Sequence, residues 1–314
     1  MTHAIRCSER PAPPARLNPC TLALLLCAAV ALASQVGCGS TAASKPRATI
    51  TLAAESPVQT SRLGGFYLTT ATMTGGRPVT LLIDTGAQTS VLDRASAERL
   101  LPGGIEKSRT RVIGANGVTV ASQGEATIER LDVGGLTAQD LRVAVLDLSP
   151  ISRILGVHLD GLLGWDVLKN TVTSFDDPSG TVSIARSVPA RLRATPGDRI
   201  EDNGIPVGRV TLPGGRRVPV VIDTGSDGWI SFASLDPLPL IGEPRAAGVA
   251  RAIGGTAAVE AATLDGAIMF GGASIQDPIV ETTPGLPRVG AGIFRGRTLT
   301  LDGPGRRFWL STPG

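Results

Sequence analysis

The chain has 314 residues, 42% of them hydrophobic and 18% charged, enough to bury one large core or two moderate ones. Its 30 Lys and Arg against 27 Asp and Glu give a formal charge of +3, and no basic run carries interleaved aromatics, which excludes a nucleic-acid surface. The only cysteines are Cys7, Cys20, Cys27 and Cys38 and the only histidines His3 and His158, so the body of the protein offers no disulfide, thiolate metal site or cysteine nucleophile, and a Ser-His-Asp arrangement depends on His158 alone.

Arginines up to Arg16 precede the apolar run Thr21 to Ser34, a charged region followed by a hydrophobic one as in a secretory signal. Residues 1–38 are therefore expected to direct export. The run falls short of the roughly 20 residues of a membrane span. Two processing sites compete: Ala31-Leu32-Ala33 suits ordinary cleavage, while Ser34 to Ser40 resembles a bacterial lipobox, in which Cys38 would carry a lipid anchor, although Gln35 departs from the usual aliphatic residue. Both lead out of the cytoplasm, to the periplasm or cell envelope. Residues 39–61, rich in Ala, Ser, Thr and Pro, read as a tether.

A first lobe is expected over 62–188. Its aliphatic strand Leu81 to Ile83 runs into Asp84-Thr85-Gly86-Ala87, driving a carboxylate toward the interior, where an unpaired charge is costly. A short helix over Arg94 to Leu101 follows, then a Gly-rich hairpin at Ile113, Gly114, Asn116 and Gly117. Further on, Gly161-Leu162-Leu163-Gly164 leads into a second short helix, Trp165 to Lys169. After a linker at 189–199, a second lobe over 200–314 repeats the order. Val220 to Ile222 runs into Asp223-Thr224-Gly225-Ser226, a hairpin forms at Ile253, Gly254 and Gly255, and Arg288-Val289-Gly290 precedes a weaker helix near Ile293.

The repeat extends beyond the tripeptides. Gly75 to Gly86 aligns without a gap with Gly214 to Gly225, Arg111 to Gly117 with Arg251 to Gly255, Arg130 to Leu141 with Ala267 to Pro278, and Gly164 to Asp176 with Gly290 to Asp302. With 39 Gly and 23 Pro but only 6 Phe, 3 Trp and 1 Tyr, each half reads as a small all-β lobe with an aliphatic core. If the lobes pack about a pseudo-twofold axis, Asp84 and Asp223 face each other. Two carboxylates about 4 Å apart repel by roughly 4 kcal/mol at an effective dielectric of about 20, so the pair holds one proton and one charge near neutral pH. The ionised member can then take a proton from water while its protonated partner donates to a carbonyl oxygen. Hydrolysis of an amide needs nothing further, so no metal or cofactor is expected.

In these residues the chain resembles the aspartic peptidases, and their retropepsin-like branch more than pepsin. Asp84-Thr85-Gly86-Ala87 is similar to the retroviral D-T-G-A motif, Gly161 to Leu168 to its aliphatic-aliphatic-Gly element, and Asp223-Thr224-Gly225-Ser226 to the D-T-G-S form. The resemblance implies a bilobal acid-protease fold and an exported endopeptidase acting on peptide or protein substrates. It implies catalytic Asp84 and Asp223, with Thr85, Gly86, Ala87, Thr224, Gly225 and Ser226 supporting the loops. The two hairpins become flaps, and Leu162, Leu163, Gly164, Val289 and Gly290 pack behind the dyad. One chain carries both halves, so a monomer suffices for the site. Tyr67, the sole tyrosine, lies outside both hairpins, unlike the flap tyrosine of pepsin-like enzymes. Other departures are Gln88 and Trp165 in place of the retroviral ion pair, and Arg288 where an aliphatic residue is expected. Ser226 has a hydroxyl where Ala87 has none, which predicts activity at mildly acidic to near-neutral pH. The rival reading is a peptide-binding or envelope-scaffold protein that keeps the cleft without turnover.

Overall fold

The computed structural model describes residues 48–53, 56–113 and 118–312, together with the backbone of two short strands, Ala23–Leu26 and Ala31–Leu32. Cys38 and the lipobox lie outside the described residues, as do Gly114, Asn116 and Gly117 at the first hairpin tip. Among the described residues no helix is long and apolar enough to cross a membrane.

The first lobe is built from β1 (Phe66–Met73), β2 (Arg77–Ile83), β3 (Val91–Asp93), helix α1 (Arg94–Leu100), the hairpin β4 (Arg111–Ile113) and β5 (Thr119–Ala121), β6 (Gly124–Val133), β7 (Leu136–Leu146), helix α2 (Ser149–Leu155), β8 (Gly161–Leu163) and helix α3 (Trp165–Leu168). Neighbours run β6-β7-β3-β8-β2-β1, and β6 returns to β1 at Leu131 opposite Met73, closing a barrel. Closure removes the edges that an open sheet would expose. Inside it lie Leu81, Ile83, Leu92, Val133, Leu136 and Val145, alternate members of their strands.

Strands β9 (Val172–Asp176) and β10 (Thr181–Ala185) leave this barrel for a sheet shared between the lobes. The second lobe then repeats the plan with β11 (Pro206–Thr211), β12 (Arg217–Ile222), β13 (Ile230–Phe232), the long hairpin β14 (Leu240–Ala252) and β15 (Gly255–Leu264), β16 (Ala267–Phe270), β17 (Ala273–Gln276), β18 (Ile279–Thr282), β19 (Arg288–Val289), helix α4 (Ala291–Phe294), β20 (Thr298–Asp302) and β21 (Arg307–Ser311). In each lobe a short strand, β8 or β19, sits parallel to the strand carrying the Asp-Thr-Gly turn and antiparallel to the strand after it. The duplication reaches backbone detail. Asp140 and Asp277, at matching positions, both take a positive φ (54° and 45°). The structure is thus all-β with the bilobal aspartic-protease architecture, the second lobe forming a more open sheet than the first.

Strands β9 and β20 join the lobes. They pair antiparallel with Ser174 opposite Thr300, residues that occupy the same place in the repeat, and their hydroxyls meet at 3.0 Å. Each lobe therefore pairs with its own copy about a local twofold.

Three expectations need correction. The expected tether, 39–61, is not free where it is described: Thr49–Leu52 pairs with β7, Ser56–Val58 with β10, and Thr60–Leu63, which runs on into the first lobe, with β1. The alternation Thr-Ile-Thr-Leu turns Ile50 and Leu52 onto the core and supplies β-branched residues for an edge strand. Helix α2 is an addition to the expected elements, although Pro150 in its first turn and Gly156 with a φ of 69° after its last are ordinary start and stop signals. The apolar runs of 4 to 7 residues in the sequence read as short strands, whereas β14 reaches 13 residues, because its Ala-rich and Gly-rich sequence hides the alternation.

Candidate active site

Asp84 and Asp223 each follow three buried aliphatic residues at the end of a strand, and neither has any exposure. The same bonds hold both. Asp84 N–H donates to the Leu163 carbonyl and Asp223 N–H to the Val289 carbonyl, each at 3.0 Å, so β8 and β19 fix where the strands end. The chain then turns, with Ala87 N–H donating back to the Asp84 carbonyl and Ser226 N–H to the Asp223 carbonyl, each at 3.3 Å.

The two turns lock together through their threonines. Thr85 N–H donates to Thr224 Oγ1 (3.1 Å) and Thr224 N–H to Thr85 Oγ1 (3.0 Å). Thr85 Oγ1 then donates to the Ile222 carbonyl (2.6 Å) and Thr224 Oγ1 to the Ile83 carbonyl (3.0 Å). Each buried hydroxyl accepts once and donates once across the interface, leaving none of these groups unsatisfied. The glycines let the carboxyls approach. A Cβ on Gly86 would stand 2.5 Å from Asp223 Oδ1, and one on Gly225 2.5 Å from the Asp84 carboxyl carbon, so each turn packs directly on the opposite acid. Gly164 and Gly290 act one layer behind. A side chain there would strike the Ala87 carbonyl at 2.9 Å or the Ser226 carbonyl at 2.7 Å, against which helices α3 and α4 rest.

Asp84 Oδ1 accepts from Gly86 N–H (2.9 Å) and Ala87 N–H (3.1 Å), and Asp223 Oδ1 from Gly225 N–H (3.0 Å). Oδ2 of each acid is buried and takes no hydrogen bond from elsewhere in the described residues. Burial and the facing Asp223 carboxylate push Asp84 well above the usual carboxylate range. Burial also raises Asp223, but there the guanidinium of Arg288 pulls in the opposite direction, its Nη1 standing 3.7 Å from Asp223 Oδ2. One proton shared unequally between two acids is the arrangement that a general acid beside a general base requires.

Residues 69–167 match the aspartyl protease family model. The match runs from β1 to α3, covering Asp84, the first hairpin and Gly161 to Gly164, and it supports a protease-type function. The second lobe lies beyond it and is tied to the aspartyl protease pattern by the internal repeat. No curated protein matches the chain.

The two hairpins touch each other. Ile253 and Gly254 form the tip of β14 and β15, with Gly254 at a φ of 95°, and a Cβ on Gly254 would lie 2.6 Å from Val120 and 3.1 Å from Val118 of the first hairpin. Ile253 is 7% exposed and joins a first-lobe apolar cluster with Phe66, Leu82, Ala87, Val112 and Leu162. Of the first hairpin's expected residues, Ile113 ends β4 opposite Thr119, and in the second Gly255 opens β15 opposite Ala252.

The walls beside the acids differ. In the first lobe Leu162, Val91 and Ala144 stand side by side on β8, β3 and β7, and all are buried apolar residues. Arg288, Ser231 and Glu281 hold the matching positions on β19, β13 and β18. Burial raises Glu281 to about 7, against the opposing pull of a hydrogen bond from the Trp229 backbone N–H. The sequence alone gives Glu281 no role and makes Arg288 a flaw in the packing; a charged residue inside an apolar strand is the available signal in both.

Asp166 is a third residue that sequence reasoning misses. Its half-buried carboxylate accepts from Ser90 N–H (3.0 Å), Ser90 Oγ (2.8 Å) and Val167 N–H (3.0 Å), while Ser90 Oγ accepts from Gly164 N–H (3.0 Å), bracing the first turn. In the second lobe the matching residue is Gly292, where the Trp229 ring takes up the space, 2.6 Å from where a Cβ would stand. His158 serves no nucleophile: buried Ser96 donates to Asp160 Oδ1 at 2.6 Å, and both lie 3.3 Å from the same ring nitrogen.

Proposed function

We propose that this chain is an exported aspartic endopeptidase, and that Asp84 and Asp223 activate a water for attack on a peptide carbonyl. One observation carries the reading: two acids from equivalent Asp-Thr-Gly turns, buried face to face and tied by reciprocal threonine hydrogen bonds. The ionised acid accepts a proton from water as its oxygen attacks the carbonyl carbon, and the protonated acid gives its proton to the carbonyl oxygen. A gem-diol results, with both acids exchanged in protonation state. The acid that took the water's proton then gives it to the amide nitrogen while the other takes a proton from a diol hydroxyl. The carbon–nitrogen bond breaks to leave a carboxylic acid, an amine and the dyad in its starting state. The hairpins supply the cover that excludes water once a peptide lies beneath them. The N-terminal sequence supports an address outside the cytoplasm, and mass spectrometry of the exported protein for a lipid on Cys38 tests the anchored form.

The deciding experiment is cleavage of a diverse peptide mixture from about pH 3 to about pH 8 by wild type, Asp84→Asn and Asp223→Asn, with folding checked by circular dichroism. Wild-type cleavage that falls about 10²-fold or more in either variant is expected, the scale of lost general acid or base catalysis. Folded wild type that binds peptides without cutting them would give the molecule to the peptide-binding alternative.

A further inference from the structure

We infer that Arg288 is a positioning residue that fixes the dyad's single proton on Asp84 and keeps Asp223 as the base. This rests on the peptidase reading of the site and adds a direction that the duplicated motifs, alike in both lobes, do not contain.

Arg288 lies on β19, next to the strand that ends in Asp223, at the position where the first lobe has Leu162. Its side chain is 4% exposed and Nη1 stands 3.7 Å from Asp223 Oδ2. Nε donates to the Leu286 carbonyl (3.3 Å) and Nη2 to Thr283 Oγ1 (3.5 Å), which hold the guanidinium plane in place. On the opposite wall Leu162 presents only methyl groups. A fixed cation beside one acid of a coupled pair favours ionisation of that acid, and the shared proton moves to the other.

Other charges on this face do not reverse the bias. Across β12 the ionisable neighbours are Asp223 and, beyond it, Asp84. Across β13 comes the neutral Ser231, then Glu281 on β18, which stays largely protonated below its raised value of about 7. Thr283 and the Leu286 carbonyl add dipoles and no charge. Asp84 receives two backbone donors to one for Asp223, which opposes the assignment, but the guanidinium stands beside Asp223, where it is the leading influence against burial, whereas its pull on Asp84 is the weakest of those acting there. The step is therefore directional: water gives its proton to Asp223 while Asp84 gives its own to the carbonyl oxygen.

The test follows the carboxyl carbons of Asp84 and Asp223 by NMR in protein carrying ¹³C-labelled aspartate, assigned with Asp84→Asn and Asp223→Asn, in wild type, Arg288→Leu and Arg288→Lys. Wild type should show Asp223 ionising at the lower pH. Arg288→Leu, which restores the first lobe's residue, should raise the Asp223 midpoint by about one pH unit or more and carry the acid limb of cleavage with it, while Arg288→Lys stays near wild type. Asp84 ionising first in wild type would overturn the inference without reference to any variant. So would an unchanged midpoint in Arg288→Leu, or an equal shift in Arg288→Lys, which would mark a packing effect. The titration reads out with or without turnover, so absence of cleavage with the expected shifts would retire the peptidase and leave the proton assignment standing.

Discussion

Asp84 and Asp223 are held at a cost to stability. Their raised values mean that the unfolded chain gives up protons more readily than the folded one as pH rises, so folding weakens above the ordinary carboxylate range and strengthens in acid. Asp84→Asn should therefore raise the melting temperature at neutral pH while abolishing cleavage; a lower melting temperature would mean that the acid contributes more by its hydrogen bonds than it costs by burial. Glu281 allows the same reasoning away from the dyad. Folded near 7 and unfolded near 4.5, it leaves the protein unpenalised below the lower value, and stability is lost between the two and stays lost above. Glu281→Gln keeps an acceptor for Trp229 and should add roughly 2–3 kcal/mol above neutral pH and little in acid, read from denaturant melts at both ends. Thr85→Val removes one donor and one acceptor from buried partners and should cost about 2–4 kcal/mol, measured the same way.

At the scale of elements, the strands that end in Asp84 and Asp223 are legible in the sequence because three aliphatics followed by Asp-Thr-Gly leave few alternatives, and the repeat doubles the signal. Helix α1 and helix α3 are equally plain, Asp93 capping the first through Ala95 N–H and Ser96 N–H. What stays hidden depends on partners distant in sequence. Residues 39–61 look like a tether until their described strands pair with β7, β10 and β1. Nothing local in Pro287-Arg288-Val289 says that the guanidinium reaches Asp223, since that contact is set by the register between β12 and β19. The hairpins belong at this scale too. Ile253→Gly should loosen the tip from the first-lobe cluster, seen as faster amide exchange in β14 and β15, and should raise KM more than it lowers kcat. Unchanged exchange would show that Ile253 does not hold the hairpins together.

For the whole molecule, the pairing of β9 with β20 about Ser174 and Thr300 and the crossed bonds of Thr85 and Thr224 lie on one pseudo-twofold. The segment 189–199 joins the two lobes, its Asp198–Arg199 pairing with β21, and so keeps two self-complementary lobes at high local concentration. Cutting the chain within it and coexpressing the halves should restore cleavage, whereas either half alone should show at least about tenfold less. The consequence of that axis reaches into how the cleft can vary. In a symmetric pair of identical chains one codon writes both walls, and a guanidinium introduced at the site of Leu162 would arrive beside both acids, setting two cations against a pair that must keep one proton. Two copies within one reading frame escape this coupling. One wall can stay greasy while the other acquires Arg288, Ser231 and Glu281, and a molecule built from two like parts gains a left hand and a right.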